Sequence, residues 1–169
     1  MELSEVVNTV GLERQLVELL IDTVASGASI GFIAPLAEDD AVAYWRQVNQ
    51  ELASQERKMY VAMEQGNLTG VVQLALCGKA NGLHRAEVEK LMVHTRERGK
   101  GVGKQLMRHM EQQARQLGRE LLVLDTRVGD TASYLYRKLD YIEAGQIPQF
   151  ALSSAGTLDG TVYFYKLLN

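Results

Sequence analysis

The sequence predicts one α/β (α+β) domain, a mixed sheet of about seven strands flanked by about four helices, spanning residues 1–169. Three observations lead there. Apolar residues recur at three- and four-residue steps in several segments, which is the helical period. Shorter segments between them alternate or run apolar, as strands do, so the two kinds are interleaved along the chain. Pro35 and Pro148 are the only prolines, and no repeat, low-complexity tract or Pro/Gly/Ser-rich linker divides the 169 residues. That length suffices for one core of ordinary size.

"ELSEVV" at the N-terminus reads as a short first strand. Leu12, Leu16, Leu19, Leu20 and Val24 place a helix from Leu12 to about Ala25, ended by "ASGAS". A second helix runs from about Asp39 to Leu52. "KMYVAMEQ" and "LTGVVQLAL" then flank Gly66-Asn67, a hairpin signal. "KANGLHR" is a loop before the strand "AEVEKLMV". Val102, Leu106, Met110, Ala114 and Leu117 keep a four-residue rhythm in a third helix, which Gly118 terminates. "ELLVLDT" is apolar enough for a buried central strand, and "DTASYLYRKL" is a short helix. "YIEAGQI" is a strand, "IPQFALSSAGTLDGT" a long polar loop suited to substrate contacts, and "TVYFYKLL" the closing strand.

Composition excludes several function classes. Apolar content of 46% and charged content of 23% are those of a soluble globular protein. A net charge of −3 gives no reason to expect nucleic-acid or membrane partners, and the apolar runs are too short to cross a bilayer. The N-terminus lacks a basic region followed by an apolar core, so no signal peptide is expected. The single cysteine, Cys77, can form neither an internal disulfide nor a multi-cysteine zinc site, and it reads as a buried strand residue. A reducing, cytoplasmic location is the expectation.

The most informative stretch is "RERGKGVGKQLMRHM", Arg96 to Met110. Each glycine inside a helix costs roughly 1 kcal/mol relative to alanine, so Gly101 and Gly103 at a helix start imply a requirement on the backbone. The first amides of a helix lack internal partners and lie at the positive end of its dipole. With Gly99, Gly101 and Gly103 leaving those amides open, the segment forms an anion seat, and phosphate is the usual occupant of such a seat. Arg96, Arg98, Lys100 and Lys104 add local positive charge on an acidic protein. A nucleotide P-loop is excluded, because Arg98 stands five residues before Gly103 and Gln105 follows Lys104 where a hydroxyl is needed. The dinucleotide fingerprint also fails, since Val102-Gly103-Lys104 follows Gly99-Lys100-Gly101.

What remains is R-x-x-G-x-G, Arg98 to Gly103, after a strand and before a helix. This arrangement resembles the coenzyme A pyrophosphate loop of the GNAT (GCN5-related) N-acetyltransferase superfamily, and the resemblance covers most of the chain. "NGLHRAEVEKLMV", "LLVLDT" and "GTVYFYKLL" look more narrowly like the tabtoxin-resistance branch of that superfamily. The resemblance implies a GNAT-like, mainly antiparallel twisted sheet, with acetyl-CoA as cosubstrate, no metal, and acetyl transfer to an amine by direct attack in a ternary complex.

It also implies site residues. Leu91, Met92 and Val93 end the strand beside which pantetheine runs, with the Met92 amide as the expected polariser of the acetyl carbonyl. Arg98, Gly99, Lys100, Gly101, Val102, Gly103 and Lys104 form the pyrophosphate loop. Tyr136 corresponds to a tyrosine held near the coenzyme sulfur, a donor of suitable pKa for a leaving thiolate, with Tyr134 as competitor. Glu87 and Asp125 carry over as carboxylates. Glu87 and Glu89 share a face by alternation unless a β-bulge changes the parity, so either is the base or part of a water relay. Asp125, at the end of an apolar strand, faces ligand or caps the following turn.

His84, His94 and His109 read as solvated residues without metal-ligand spacing. Phe32, Tyr44, Trp45 and Phe150 are aromatic candidates for the acceptor pocket or for the core. The acceptor is expected to be a small amino compound, with an amino-acid-like toxin such as tabtoxinine-β-lactam as one candidate. A protein or peptide acetyltransferase and a non-catalytic acetyl-CoA sensor are the competing readings, and a homodimer is compatible with the sequence.

Overall fold

The computed structural model describes residues 1–168. Its elements are β1 (Glu2–Val6), α1 (Glu13–Ala25), α2 (Glu38–Ala53), β2 (Arg57–Glu64), β3 (Asn67–Leu76), β4 (Arg85–Val93), α3 (Val102–Gln116), β5 (Leu121–Arg127), α4 (Ala132–Lys138), β6 (Ile142–Leu152) and β7 (Leu158–Leu167). The strands form one sheet in the order β1-β2-β3-β4-β5-β7-β6, antiparallel except for the parallel pair β4–β5. Seven strands, four helices and their order agree with the sequence-based expectation.

Each face of the sheet is covered by the helices whose apolar stripes the sequence displays. Leu16, Leu19, Leu20 and Val24 of α1 join Ala41, Trp45, Val48 and Leu52 of α2 against Met59, Val61, Val71 and Met92. On the other face Val102, Leu106, Met107, Met110 and Ala114 of α3 pack with Leu74, Val88, Leu122, Leu124 and Phe164. Burying one such side chain contributes about 1.5–3 kcal/mol, so the two cores hold the central strands from both sides.

Four local expectations change. The hairpin turn is Gln65-Gly66, both at positive φ (49° and 79°), and Asn67 already pairs with Glu64. Cys77 lies just past β3 and is half-buried rather than inside a strand. The long polar loop is mostly strand: β6 continues to Leu152 and β7 begins at Leu158. β6 is an edge strand, exposed almost throughout, so it lacks the buried alternation that reveals a strand. Pro148 is accommodated where the β6–β7 register shifts between Ile147 and Ala151. The histidines differ too, since only His84 is exposed. His94 is half-buried with Nδ1 3.4 Å from Asp22, and His109 lies edge-on to Tyr60 with ring centroids 5.5 Å apart.

Candidate active site

Two features of β4 create the site. The first is a bulge: Gln73 opposes Glu89 and Val71 opposes Met92, leaving Lys90 and Leu91 against one residue of β3, with Lys90 at φ 51°. The bulge reverses the strand's parity. Val88 packs on the α3 face, whereas Met92, four residues on, packs under α1 and α2. The second feature is a parting of strands. β4 pairs with β5 only from Arg85 to Glu87, opposite Leu121 to Val123. Beyond that point the two strands diverge and leave backbone edges free.

Two clefts open from this wedge. One, of about 590 Å³, is lined by Leu91, Val93, Arg98, Gly99, Gly101, Val102, Gly103, Lys104 and Leu135. The other, of about 320 Å³, is lined by Glu87, Glu89, Lys90, Asp125, Tyr136, Phe150 and Thr161, among others. Leu91, Arg127, Asp130 and Ala132 border both, so the clefts meet at the end of the wedge.

In the larger cleft the glycines have separate causes. Gly99 (φ 77°) and Gly101 (φ 83°) occupy the left-handed region, which glycine enters without steric cost. Gly103 has no such φ, and a Cβ there would make ordinary contacts with Leu135 at 3.5 Å and Val93 at 3.6 Å. Gln105 donates to Gly101 O at 3.1 Å, so the amides of Val102, Gly103 and Lys104 precede the first helical hydrogen bond of this turn. Such a row of free amides, beside a Lys104 side chain with no partner among the described residues, fits a pyrophosphate.

The expected cations do not act alike. Arg98 donates to Val93 O (3.3 Å) and to Ser26 Oγ (2.8 Å), bracing the loop against β4 and the end of α1. Lys100 pairs with Glu97 at 2.9 Å, and Arg96 lies 3.7 Å from the same carboxylate.

Along β4, the His94 N–H donates to Thr69 O at 2.9 Å. Alternation of an antiparallel ladder then turns the Met92 peptide N–H toward β3 and the peptide groups of Val93 and Leu91 away from it. Met92 itself is 1% exposed. The open peptide edge therefore belongs to Leu91 and Val93, and the expectation for the Met92 amide is corrected.

In the smaller cleft the two glutamates of β4 differ sharply. Glu89 accepts from Arg57 Nη1 at 2.6 Å, and Arg57 also pairs with Glu51 and donates to buried Gln73 at 2.8 Å. Tyr44 joins this network through Gln73, and burial pushes its phenol up to about 12. Glu87 has no hydrogen-bonding or ionic partner among the described residues. Glu87 stands exposed at the cleft mouth, and partial desolvation there, then the charges of Glu89 and Asp125, raise its pKa above the usual carboxylate range, against the opposing pull of Arg57 and Lys90.

Asp125 sits inside β5 rather than at its end, and so caps no turn. It faces the same side as Glu87, and Thr161 Oγ1 donates to it at 2.7 Å. Tyr136 is buried against Tyr141 and Phe164, both 5.9 Å away between ring centroids, and borders the cleft. Burial, then the charges of Asp125 and Asp130, raise its pKa and keep the phenol protonated. Its hydroxyl makes no hydrogen bond among the described residues. Tyr134, by contrast, is 67% exposed and lies outside both clefts.

Of the aromatic candidates, Phe150 stands at the rim of the smaller cleft, 47% exposed. Phe32 packs edge-on to Tyr44 at 5.2 Å, near that rim. Trp45 does not reach a cleft. It is 3% exposed in the α1–α2 core and donates through Nε1 to Leu16 O at 2.9 Å.

Sequence reasoning missed Arg127 and Lys90. Arg127 donates to Asp130 (2.8 Å) and Gly27 O (3.1 Å), joining the end of β5 to the α1–α2 loop between the clefts. Lys90 did leave a signal, because simple alternation would place its charge on the apolar face with Val88. Among the described residues no group of three or more His, Cys, Asp or Glu side chains could hold a metal ion. No helix among them is long and apolar enough to cross a membrane.

Comparison with known proteins agrees with this architecture. An N-acetyltransferase from Staphylococcus aureus Mu50 superposes with a TM-score of 0.82 at 17% identity, covering 100% of both chains. The structure of yncA, described as a putative acetyltransferase from Salmonella typhimurium with its cofactor acetyl-CoA, gives 0.78 at 20% identity, over 99% of this chain and 94% of that one. In sequence, the L-amino acid N-acyltransferase MnaT of Escherichia coli K12 is 26% identical over 102 residues, 60% of this chain and 59% of that protein. The acetyltransferase (GNAT) family model matches residues 16–141, which take in the glycine-rich loop, Glu87, Lys90, Asp125 and Tyr136 but not Phe150 or Thr161. The chain belongs to the acetyltransferase (GNAT) family.

Proposed function

We propose that the protein is an acetyl-CoA-dependent N-acetyltransferase whose acceptor is the amine of a small amino compound. The observation that carries this reading is the meeting of the two clefts at the parted β4–β5 edge. A glycine-rich anion seat lies on one side, and an unpaired Glu87 with a protonated phenol lies on the other.

Acetyl-CoA would supply the acyl thioester, its pyrophosphate on the amides of Val102 to Lys104 and its pantetheine along the Leu91–Val93 edge. Glu87, on the same face as Asp125, would take the proton of the acceptor ammonium, directly or through water. An outward peptide N–H of β4 would donate to the acyl oxygen as charge develops there. Tyr136 O–H would protonate the departing sulfur. The protein provides no nucleophile in this scheme, because the acceptor amine attacks directly.

The finer reading, an amino-acid-like toxin such as tabtoxinine-β-lactam, rests on the sequence resemblance and on the small size of the acceptor cleft. Release of free thiol from acetyl-CoA should be followed across amino acids, that toxin, aminoglycosides and basic peptides. Turnover of small amino compounds but not of peptides is expected. Turnover confined to peptides would replace the reading with a peptide acetyltransferase. Coenzyme binding without thiol release on any acceptor would make the protein a sensor.

A further inference from the structure

The acceptor cleft contains two cationic side chains in opposite condition. Arg127 is engaged by Asp130 and Gly27. Lys90 makes no hydrogen bond or ion pair among the described residues. Its place is nevertheless closely specified. The β4 bulge holds it at φ 51° and turns it off the apolar register of Val88 into the cleft. Its Nζ lies 3.5 Å from where a Cβ on Gly31 would stand and 6.0 Å from the Phe32 ring centroid. The α1–α2 loop therefore walls the ammonium in with a glycine and an aromatic face.

A half-buried cation without a partner is costly unless something completes it. Carboxylates are nearby, but none of them pairs with it: Glu89 belongs to Arg57, Asp125 accepts from Thr161, and Glu87 is free to receive the acceptor amine. Burial lowers the Lys90 pKa; Glu89 opposes that shift most, Arg57 adds to it, and Asp125 and Glu87 oppose it further. The cleft thus presents a free carboxylate for a cationic amine and a free ammonium for an anion.

We propose that Lys90 binds a carboxylate of the acceptor, so that the preferred acceptor is an amino acid or a comparable zwitterion. A simple amine or polyamine would leave this ammonium unpaired. The proposal rests on the acetyltransferase reading above, and it adds the group that selects among amines. Glu87 and Asp125 read the amine end, Lys90 reads the acid end, and the coenzyme cleft is untouched.

The test compares wild type, Lys90→Met and Lys90→Arg on amino acids and on the matching amino-acid amides, following thiol release. In wild type the acid should be favoured over its amide by about tenfold or more in KM, the worth of one charge-assisted contact. Lys90→Met should erase that preference in KM, with affinity for acetyl-CoA unchanged, and Lys90→Arg should keep it. Acids and amides treated alike by wild type would overturn the proposal. So would a preference that survives in Lys90→Met, or an equal rise of KM on both substrate sets.

Calorimetric binding of N-acetyl amino acids and their amides to the coenzyme A complex gives a second readout that needs no turnover. If no acceptor releases thiol, the catalytic reading fails on its own. A carboxylate preference lost in Lys90→Met would still support the assignment, and its absence would overturn it.

Discussion

Arg57 donates to Glu89 at 2.6 Å, and this pair separates two glutamates that alternation places side by side on β4. Arg57 is also held by Glu51 and Gln73, so Glu89 is anchored while Glu87 remains free in the cleft.

The first prediction follows from that division. Glu87→Gln should lower kcat by about 100-fold at neutral pH, the usual loss of a general base. Glu89→Gln should lower the melting temperature, because it removes one of the two carboxylates that hold the Arg57 guanidinium, and reduce kcat far less. Steady-state kinetics and thermal melts on the two variants check this, and equal kinetic losses would remove Glu87 from the role.

Glu87 also sets a pH dependence. Its folded pKa is raised, so kcat/KM should rise along an acid limb lying above the range of a free carboxylate, and Glu87→Gln should abolish that limb. The same shift has a stability consequence. The folded chain holds this proton more tightly than the unfolded chain, so the contribution is fully present below the unfolded pKa and is lost as pH rises through the folded one. Glu87→Gln should therefore raise the melting temperature slightly at about pH 7 and leave it unchanged at about pH 4.

The anion seat is best tested at Gly103. Its φ is ordinary and a Cβ there would meet only ordinary van der Waals contacts, so Gly103→Glu should fold while setting a carboxylate against the free amides. Acetyl-CoA affinity, measured by calorimetry, should fall by about 100-fold or more through charge repulsion and lost space. Gly101→Ala acts differently. It forces a side chain to φ 83° and should cost about 1 kcal/mol or more in stability.

Tyr136→Phe removes a hydroxyl that no described residue uses, so folding and coenzyme affinity should stay close to wild type. Thiol release should slow by about 100-fold if the phenol supplies the proton. Near-normal turnover would leave Tyr136 as packing between α4 and the sheet.

Trp45→Ala should destabilise by about 3–5 kcal/mol, as for a large core residue cut to alanine. The acceptor KM of whatever folds should change little, because Trp45 donates to Leu16 O inside the α1–α2 core.

The fold was legible where burial imposes a period. α1, α2 and α3 show their stripes, and β5 its apolar run, because each turns one side to a core. β6 was only half legible, because an exposed edge strand has no buried side to advertise. The anion seat was legible because glycine is used there against helix propensity, and the φ of Gly99 and Gly101 gives that use its cause. The acceptor side was not. Alternation could not separate Glu87 from Glu89, since Arg57 comes from a strand two places away in the sheet. Nor could it reveal the reversed parity beyond Lys90, which depends on where β3 stops matching β4 residue for residue. Trp45 gave the opposite difficulty, an aromatic whose helical spacing suits a core and a pocket equally well.

The early parting of β4 from β5 bears on how such a protein can diversify. A ligand lodged against bare peptide groups is recognised by atoms that every residue carries, so the letters written along that edge are free to drift. On the proposed reading, side-chain identity matters across the gap, at positions such as Glu87, Lys90 and Asp125. Donor recognition would then be inherited with the chain's shape, and acceptor choice residue by residue.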